Sequence, residues 1–191
     1  MSAELTQRIE ALEQDVGILH IHWNEFITLF GSGSSNVDRM NDVAPFFFFI
    51  VQELLLNHIY LGISRLTDPA RSANKHSNLS LFTLIDLMEN DSVKKSTLRR
   101  LEHLKKNASF AIQRRHKLLS HRDLDHALDR NAEPFLDVTR EKIESCLAEV
   151  ADILNDVNRT YQRPPTAYGL EAYLDGADSL AYWLKRVGES Q

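Results

Sequence analysis

Between Ile9 and Phe30 seven apolar residues recur at alternating spacings of three and four: Ile9, Leu12, Val16, Leu19, Trp23, Phe26 and Phe30. That is the period of a single helical face, and Gln7, Arg8, Glu10 and Glu13 occupy the others. The stripe predicts a long amphipathic helix from about Ala3 to Phe30, ended by the loop-favouring Gly31-Ser32-Gly33-Ser34-Ser35. Little else in the chain favours tight turns. Seven glycines and five prolines in 191 residues are about half the usual share, which argues against hairpin-rich β folds. With 43% hydrophobic and 26% charged residues, the composition is that of a folded, soluble chain.

Further helices follow from the same reasoning. A second is expected from about Asn41-Asp42 to Asp68-Pro69, with Pro45 in its first turn. Phe46, Phe47, Phe48 and Phe49 cover every side of its start, so they belong in a core or an interface. Polar loop is expected from Arg71 to Asn78, then a short helix from about Leu81 to Met88 capped by Ser80. A basic helix then starts near Ser92, with Leu98, Leu101, Ala108 and Ile112 facing inward. It carries Lys94, Lys95, Arg99, Arg100, Lys105, Lys106, Arg114, Arg115 and Lys117. Beyond Pro134, Ile143, Leu147, Val150, Leu154, Val157 and Tyr161 form another stripe, closed by Pro164-Pro165, and Leu180 to Val187 forms a small last helix. The expected fold is all-α: one domain over 1–191, an up-and-down bundle of four main helices with short extra ones. Its motif-bearing part covers about 1–130, and C-terminal helices over 137–187 pack on it.

Charge and special residues narrow the chemistry. A net charge of −5 argues against a generally basic nucleic-acid coat but leaves room for a local basic patch. The single cysteine, Cys146, excludes a disulfide framework and a cysteine-based zinc cage, and fits a reducing cytoplasm. The N-terminus reads as no signal peptide, and the apolar run from Phe46 to Leu56 is interrupted by Gln52 and Glu53, so no membrane partner is expected. His20 and His22, two apart, are poor joint metal ligands, and His116, His121 and His126 recur at a spacing that misaligns on a helix. His58 reads as a hydrogen-bonded core residue. Glu53, a carboxylate in an apolar segment, needs a partner such as Arg65 or a cation further along the chain. Neither a glycine-rich phosphate loop nor a serine-nucleophile elbow is present.

The densest cluster of candidate chemistry is Arg114-Arg115-His116-Lys117-Leu118-Leu119-Ser120-His121-Arg122-Asp123. It reads equally as a solvated helix end whose cations complement the helix dipole. At these residues the chain resembles the HEPN superfamily, whose signature is an arginine, a polar residue and, after a short gap, a histidine: here Arg115, His116 and His121. Lys117, Ser120 and Asp123 extend the likeness to the AbiU-like branch, linked to bacterial abortive infection. Two earlier stretches fit as well: Trp23-Asn24-Glu25-Phe26, and Ser64-Arg65-Leu66-Thr67-Asp68-Pro69 ahead of Asn78-Leu79-Ser80-Leu81. The likeness covers roughly the first two thirds of the chain.

This resemblance implies a helical bundle, usually dimeric, that sets two copies of the motif around a shared cleft. Active members are similar to metal-independent endoribonucleases, so no cofactor or metal is implied and RNA is the expected substrate. An antitoxin or other partner protein is a further expectation, and many relatives have lost activity and bind only nucleotide or partners. His121 would act as acid–base residue and Arg115 as phosphate stabiliser, with His116 auxiliary. Arg114, Lys117 and Arg122 would contact substrate; Asp123 and Glu53 are auxiliary candidates. Some members carry a tyrosine two positions after the motif histidine that a partner nucleotidyltransferase modifies. Asp123 stands there in this chain, so that control is not expected. In a straight helix Arg115 and His121 would lie about 120° apart, whereas Arg114 and His121 would share a face. Arg114 therefore stays beside Arg115 as phosphate ligand. Replacing Arg115 or His121 at a polar helix end is expected to change stability by under about 0.5 kcal/mol.

Overall fold

The structure, a computed structural model, describes residues 1–71, 76–116, 138–169 and 175–188. Among these residues there are eight α-helices and no strand, only an isolated antiparallel bridge between Arg71 and Ser77. Four helices are long: α1 (Ala3–Phe26, 24 residues), α3 (Pro45–Leu66, 22), α5 (Asp91–Asn107, 17) and α7 (Arg140–Thr160, 21). The others are α2 (Ser34–Val43), α4 (Phe82–Ile85), α6 (Ser109–Arg114) and α8 (Ala177–Gly188).

Several boundaries differ from the sequence reading. α1 gives way at Ile27 to a π-helical turn reaching Gly31, and α2 begins three residues later. The serines read as loop thus open a helix. Gly33 makes the turn possible, its φ of 124° being a conformation that side-chain-bearing residues avoid. Asn41 and Asp42 end α2 instead of capping α3, while Pro45 does take the first position of α3, where its missing N–H costs nothing. Ser80 caps nothing, since Leu81 stands at the cap of a helix only four residues long. The basic helix is interrupted at Ala108, so α5 and α6 are separate.

The chain forms two compact units. The first comprises Met1–Val16 and Tyr60–Ala167, the second Gly17–Ile59 and Tyr168–Gln191, so α1 and α3 each contribute to both. In the first unit the expected stripes are buried at Ile9, Leu12 and Val16 of α1, at Leu101 and Ala108 of the basic segment, and at Ile143, Leu147, Val150, Leu154 and Val157 of α7. Leu98 and Ile112, expected to face inward, are only half-buried, and Leu104 is buried beside Leu101. α5 packs against α7. Asn90 starts α5 by accepting from the backbone N–H groups of Ser92 and Val93 (3.0 and 3.1 Å), and Thr139 caps α7 through Lys142 N–H. A polar clasp joins the middle of α1 to the end of α7. The fully buried Asn158 donates to Glu13 Oε1 (2.6 Å) and accepts from Arg163 Nε (3.1 Å), and Thr166 Oγ1 donates to the same Glu13 oxygen (3.0 Å). Cys146 lies within the α7 stripe, and burial pushes its thiol up to about 11, so it stays protonated and behaves as a small apolar residue.

In the second unit Leu29, Met40, Phe48, Ala177 and Leu184 form the core. Only Phe48 of the four consecutive phenylalanines is buried; Phe46, Phe47 and Phe49 are 74%, 59% and 58% exposed. With Ile50 and Leu54, also exposed, they give α3 an apolar face. By length and composition α3 is also long and apolar enough to cross a membrane, with a mean hydropathy of 1.6. The sequence reading, which considered only the run from Phe46 to Leu56, did not anticipate this. Its last third is protein-buried, however: Ile59, Ile63, Ser64 and Leu66 are all 3% exposed or less. His58, expected in the core, is exposed and meets His22 edge-on, ring centroids 4.5 Å apart.

Candidate functional site

The site residues of the first unit are placed by the chain's turn after α3. As α3 ends, Thr67 Oγ1 donates back to the carbonyls of Ile63 and Ser64, both at 3.0 Å, which satisfies helix-end acceptors that would otherwise lie buried. Asn78 then closes the following loop: its side-chain amide donates to the Pro69 carbonyl (2.8 Å) and its backbone N–H to that of Ala70 (3.0 Å). Leu81 N–H donates to the Leu66 carbonyl (3.0 Å). The stretches Ser64 to Pro69 and Asn78 to Leu81 are therefore one latch, and it holds Asp68.

Asp68 Oδ2 accepts from Arg115 Nη1 at 2.6 Å, with side chains 21% and 17% exposed. Arg115 lies just beyond α6, where the helix widens into π geometry over Arg115 and His116, a distortion common at functional sites. Its neighbour Arg114 turns elsewhere, its guanidinium 5.1 Å from the centre of the Tyr60 ring. Tyr60 in turn meets Phe110 of α6 edge-on at 5.9 Å, and both rings are buried. Aromatic packing thus fixes α6, and an ion pair fixes the residue after it. His116 is exposed.

Chemically, Asp68 occupies part of a five-donor guanidinium and orients what remains, so Arg115 still has N–H groups suited to a phosphate. A cleft of about 410 Å³ opens beside the latch, lined in part by Arg8, Ala70, Arg71, Ser77, Asn78 and Asp86.

Lys117, His121, Arg122 and Asp123 lie outside the described residues. Glu53 is half-buried and makes no hydrogen bond or ion pair among the described residues; Arg65, its expected partner, is exposed. The Trp23-Asn24-Glu25-Phe26 stretch belongs to the second unit and fastens it. Asn24 Nδ2 donates to the Gly169 carbonyl (2.9 Å), and Glu25 Oε2 accepts from Ala177 N–H (2.7 Å) at the start of α8. A Cβ at Gly176 would meet the Glu25 carboxylate, so a larger residue there would require that side chain to shift. Among the described residues no three histidines, cysteines or carboxylates are grouped to hold a metal ion.

The pair revises the expectation for Arg115. An arginine this enclosed, bonded to a carboxylate, is not a free helix end, and removing it strands Asp68. Arg115→Ala is expected to lower stability by about 1.5–3 kcal/mol in urea denaturation; a loss under about 0.5 kcal/mol would restore the original expectation.

No curated protein and no solved structure matches the chain. A family model described as AbiU2, of the HEPN group, matches residues 2–178, which takes in the latch, the whole arginine–histidine cluster and all but the first residue and the C-terminal end of the chain. This chain belongs to the HEPN AbiU2 family.

Proposed function

We propose that this protein acts on RNA as a metal-independent endoribonuclease of a bacterial defence or toxin system. The observation that carries the reading is the ion pair between Arg115 and Asp68. It brings together two of the stretches that resemble HEPN sequences, 47 residues apart, at the family's arginine. In this mechanism His121 removes the proton of a 2′-hydroxyl as that oxygen attacks the adjacent phosphorus, and returns a proton to the departing oxygen. Arg115, aimed by Asp68, stabilises the added phosphorane charge. His116 assists, Arg114, Lys117 and Arg122 draw the RNA backbone in, and Asp123 orients His121. The proposal keeps 1–191 as one HEPN-like domain in the cytoplasm, its four long helices forming an up-and-down bundle, with an antitoxin or similar protein as regulator. It assigns no role to a metal or other cofactor.

A second reading has its own support. Arg115 is 17% exposed and already bonded to a carboxylate, as in a structural arginine of a non-catalytic module that binds a partner protein or nucleotide. Labelled RNA incubated with the purified full chain in EDTA separates the two. The enzyme reading expects cleavage that EDTA leaves intact and that His121→Ala lowers by 10²-fold or more. No cleavage across a panel of RNAs leaves the binding module.

The active form in this proposal is a homodimer joined through α3. Phe46, Phe47, Ile50 and Leu54 fall within about 100° of the helix circumference, and Phe49 widens that arc to about 160°. Their exposed fractions, with that of Phe49, amount to on the order of 500 Å² per chain. That is more than half of the roughly 800 Å² each partner gives to a stable interface. A bilayer is a poor occupant, because Glu53 lies within this segment and the end of α3 is buried in protein. Sedimentation equilibrium should give about twice the 21.9 kDa chain mass, and Phe46→Glu with Leu54→Glu should halve it. A wild-type monomer at micromolar concentration rules the dimer out.

A further inference from the structure

α5 carries six cations against two carboxylates, in a chain whose net charge is −5. Its faces use them differently. Thr97, Leu101 and Leu104 are buried, and Arg100, beside them, is committed to α7: Nε donates to Glu149 Oε1 (2.8 Å) and Nη1 pairs with Asp156. Burial works against the Arg100 charge, but the two carboxylates outweigh it and hold its pKa above the ordinary value. Asp156 also holds Arg159. These arginines line a cleft of about 440 Å³, but their charges are answered within it.

The outward side is the reverse. Lys95, Arg99 and Lys106 lie within about 40° of one another around the helix, at axial steps of about 6 and 10 Å. All three are exposed, and none has an ion-pair partner among the described residues. Lys95 and Arg99, four apart, repel each other by a few tenths of a kcal/mol. Asp91 and Glu102 of α5 share this face, one turn before Lys95 and Lys106 respectively, and neither forms an ion pair with the three cations among the described residues. So α5 is held by one set of charges and presents three exposed cations, interspersed with Asp91 and Glu102, with the other. Beyond Ala108 the chain runs directly into the helix that carries Arg114.

We propose that Lys95, Arg99 and Lys106 track the phosphate backbone of single-stranded RNA outside the arginine–histidine motif. This rests on the reading of the protein as RNA-acting. The stripe sets affinity and gives no sequence preference, as backbone contacts do. The helix that bears it is anchored through Arg100, so its cations meet the phosphates without a rearrangement of the fold.

The test is binding of a fluorescein-labelled single-stranded RNA to the full chain, by anisotropy, between 50 and 200 mM KCl. The variant is K95Q/R99Q/K106Q; glutamine keeps the helix propensity and removes only charge. Each lost phosphate contact should lower the slope of log K against log salt by about 0.7, so the variant's slope should be smaller by about 2. Its affinity at low salt should fall about tenfold or more. A wild-type chain that binds RNA and a variant with the same slope and affinity would overturn the stripe and leave the RNA reading standing. A wild-type chain that binds no RNA would overturn both. If instead the variant loses only binding to phosphatidylserine vesicles, the stripe serves an anionic membrane surface and the proposal is wrong.

Discussion

Everything distinctive about the candidate site depends on one charge-assisted hydrogen bond, between Arg115 and Asp68. A carboxylate and a guanidinium that are each about four-fifths enclosed need each other, since either one alone would be a poorly hydrated charge. The bond can form because the surrounding structure leaves little choice. Thr67 and Asn78 fix the turn that carries Asp68, and Phe110 against Tyr60 fixes the helix that delivers Arg115. Arg114, the neighbouring residue, is turned onto the Tyr60 ring. Adjacent arginines thus have separate settings, one ionic and one aromatic.

Much of the fold could be read in the sequence because long helices advertise themselves by period. The stripes of α1 and α7 are buried as their spacing requires, and the same reasoning located α8. Errors came where local chemistry is ambiguous. Serines and glycines between Gly31 and Ser35 favour a loop and equally well start a helix, so their composition does not announce α2. The break at Ala108 has no proline or glycine to announce it. Four phenylalanines in a row say that apolar surface must be covered, but not by what; among the described residues Phe48 is buried and the other three are exposed.

The site was legible to a different degree. Arg115 and the Ser64 to Pro69 stretch were both singled out, but their meeting was not, because contacts 47 residues apart leave no periodic trace. Asp68 reads in the sequence as the end of a helix before a proline and as part of that stretch, not as a partner for an arginine. Asn24 and Glu25, also marked by the resemblance, prove to be fasteners for the start of α8. Residues that recur in a family signature can thus act on the fold, and here two of three stretches do so directly. Charge follows the same division of labour: Arg100 holds α5 to α7, while Lys95, Arg99 and Lys106 face outward.

The claim that Asp68 and Arg115 act as one unit is tested most directly by a double-mutant cycle. The stabilities of Asp68→Ala, Arg115→Ala and the double variant are measured by urea denaturation of the full chain. If the pair organises the site, the double variant is no less stable than the worse single one, and the coupling is about 1 kcal/mol or more. Additive losses, with coupling within about 0.3 kcal/mol of zero, would contradict the account.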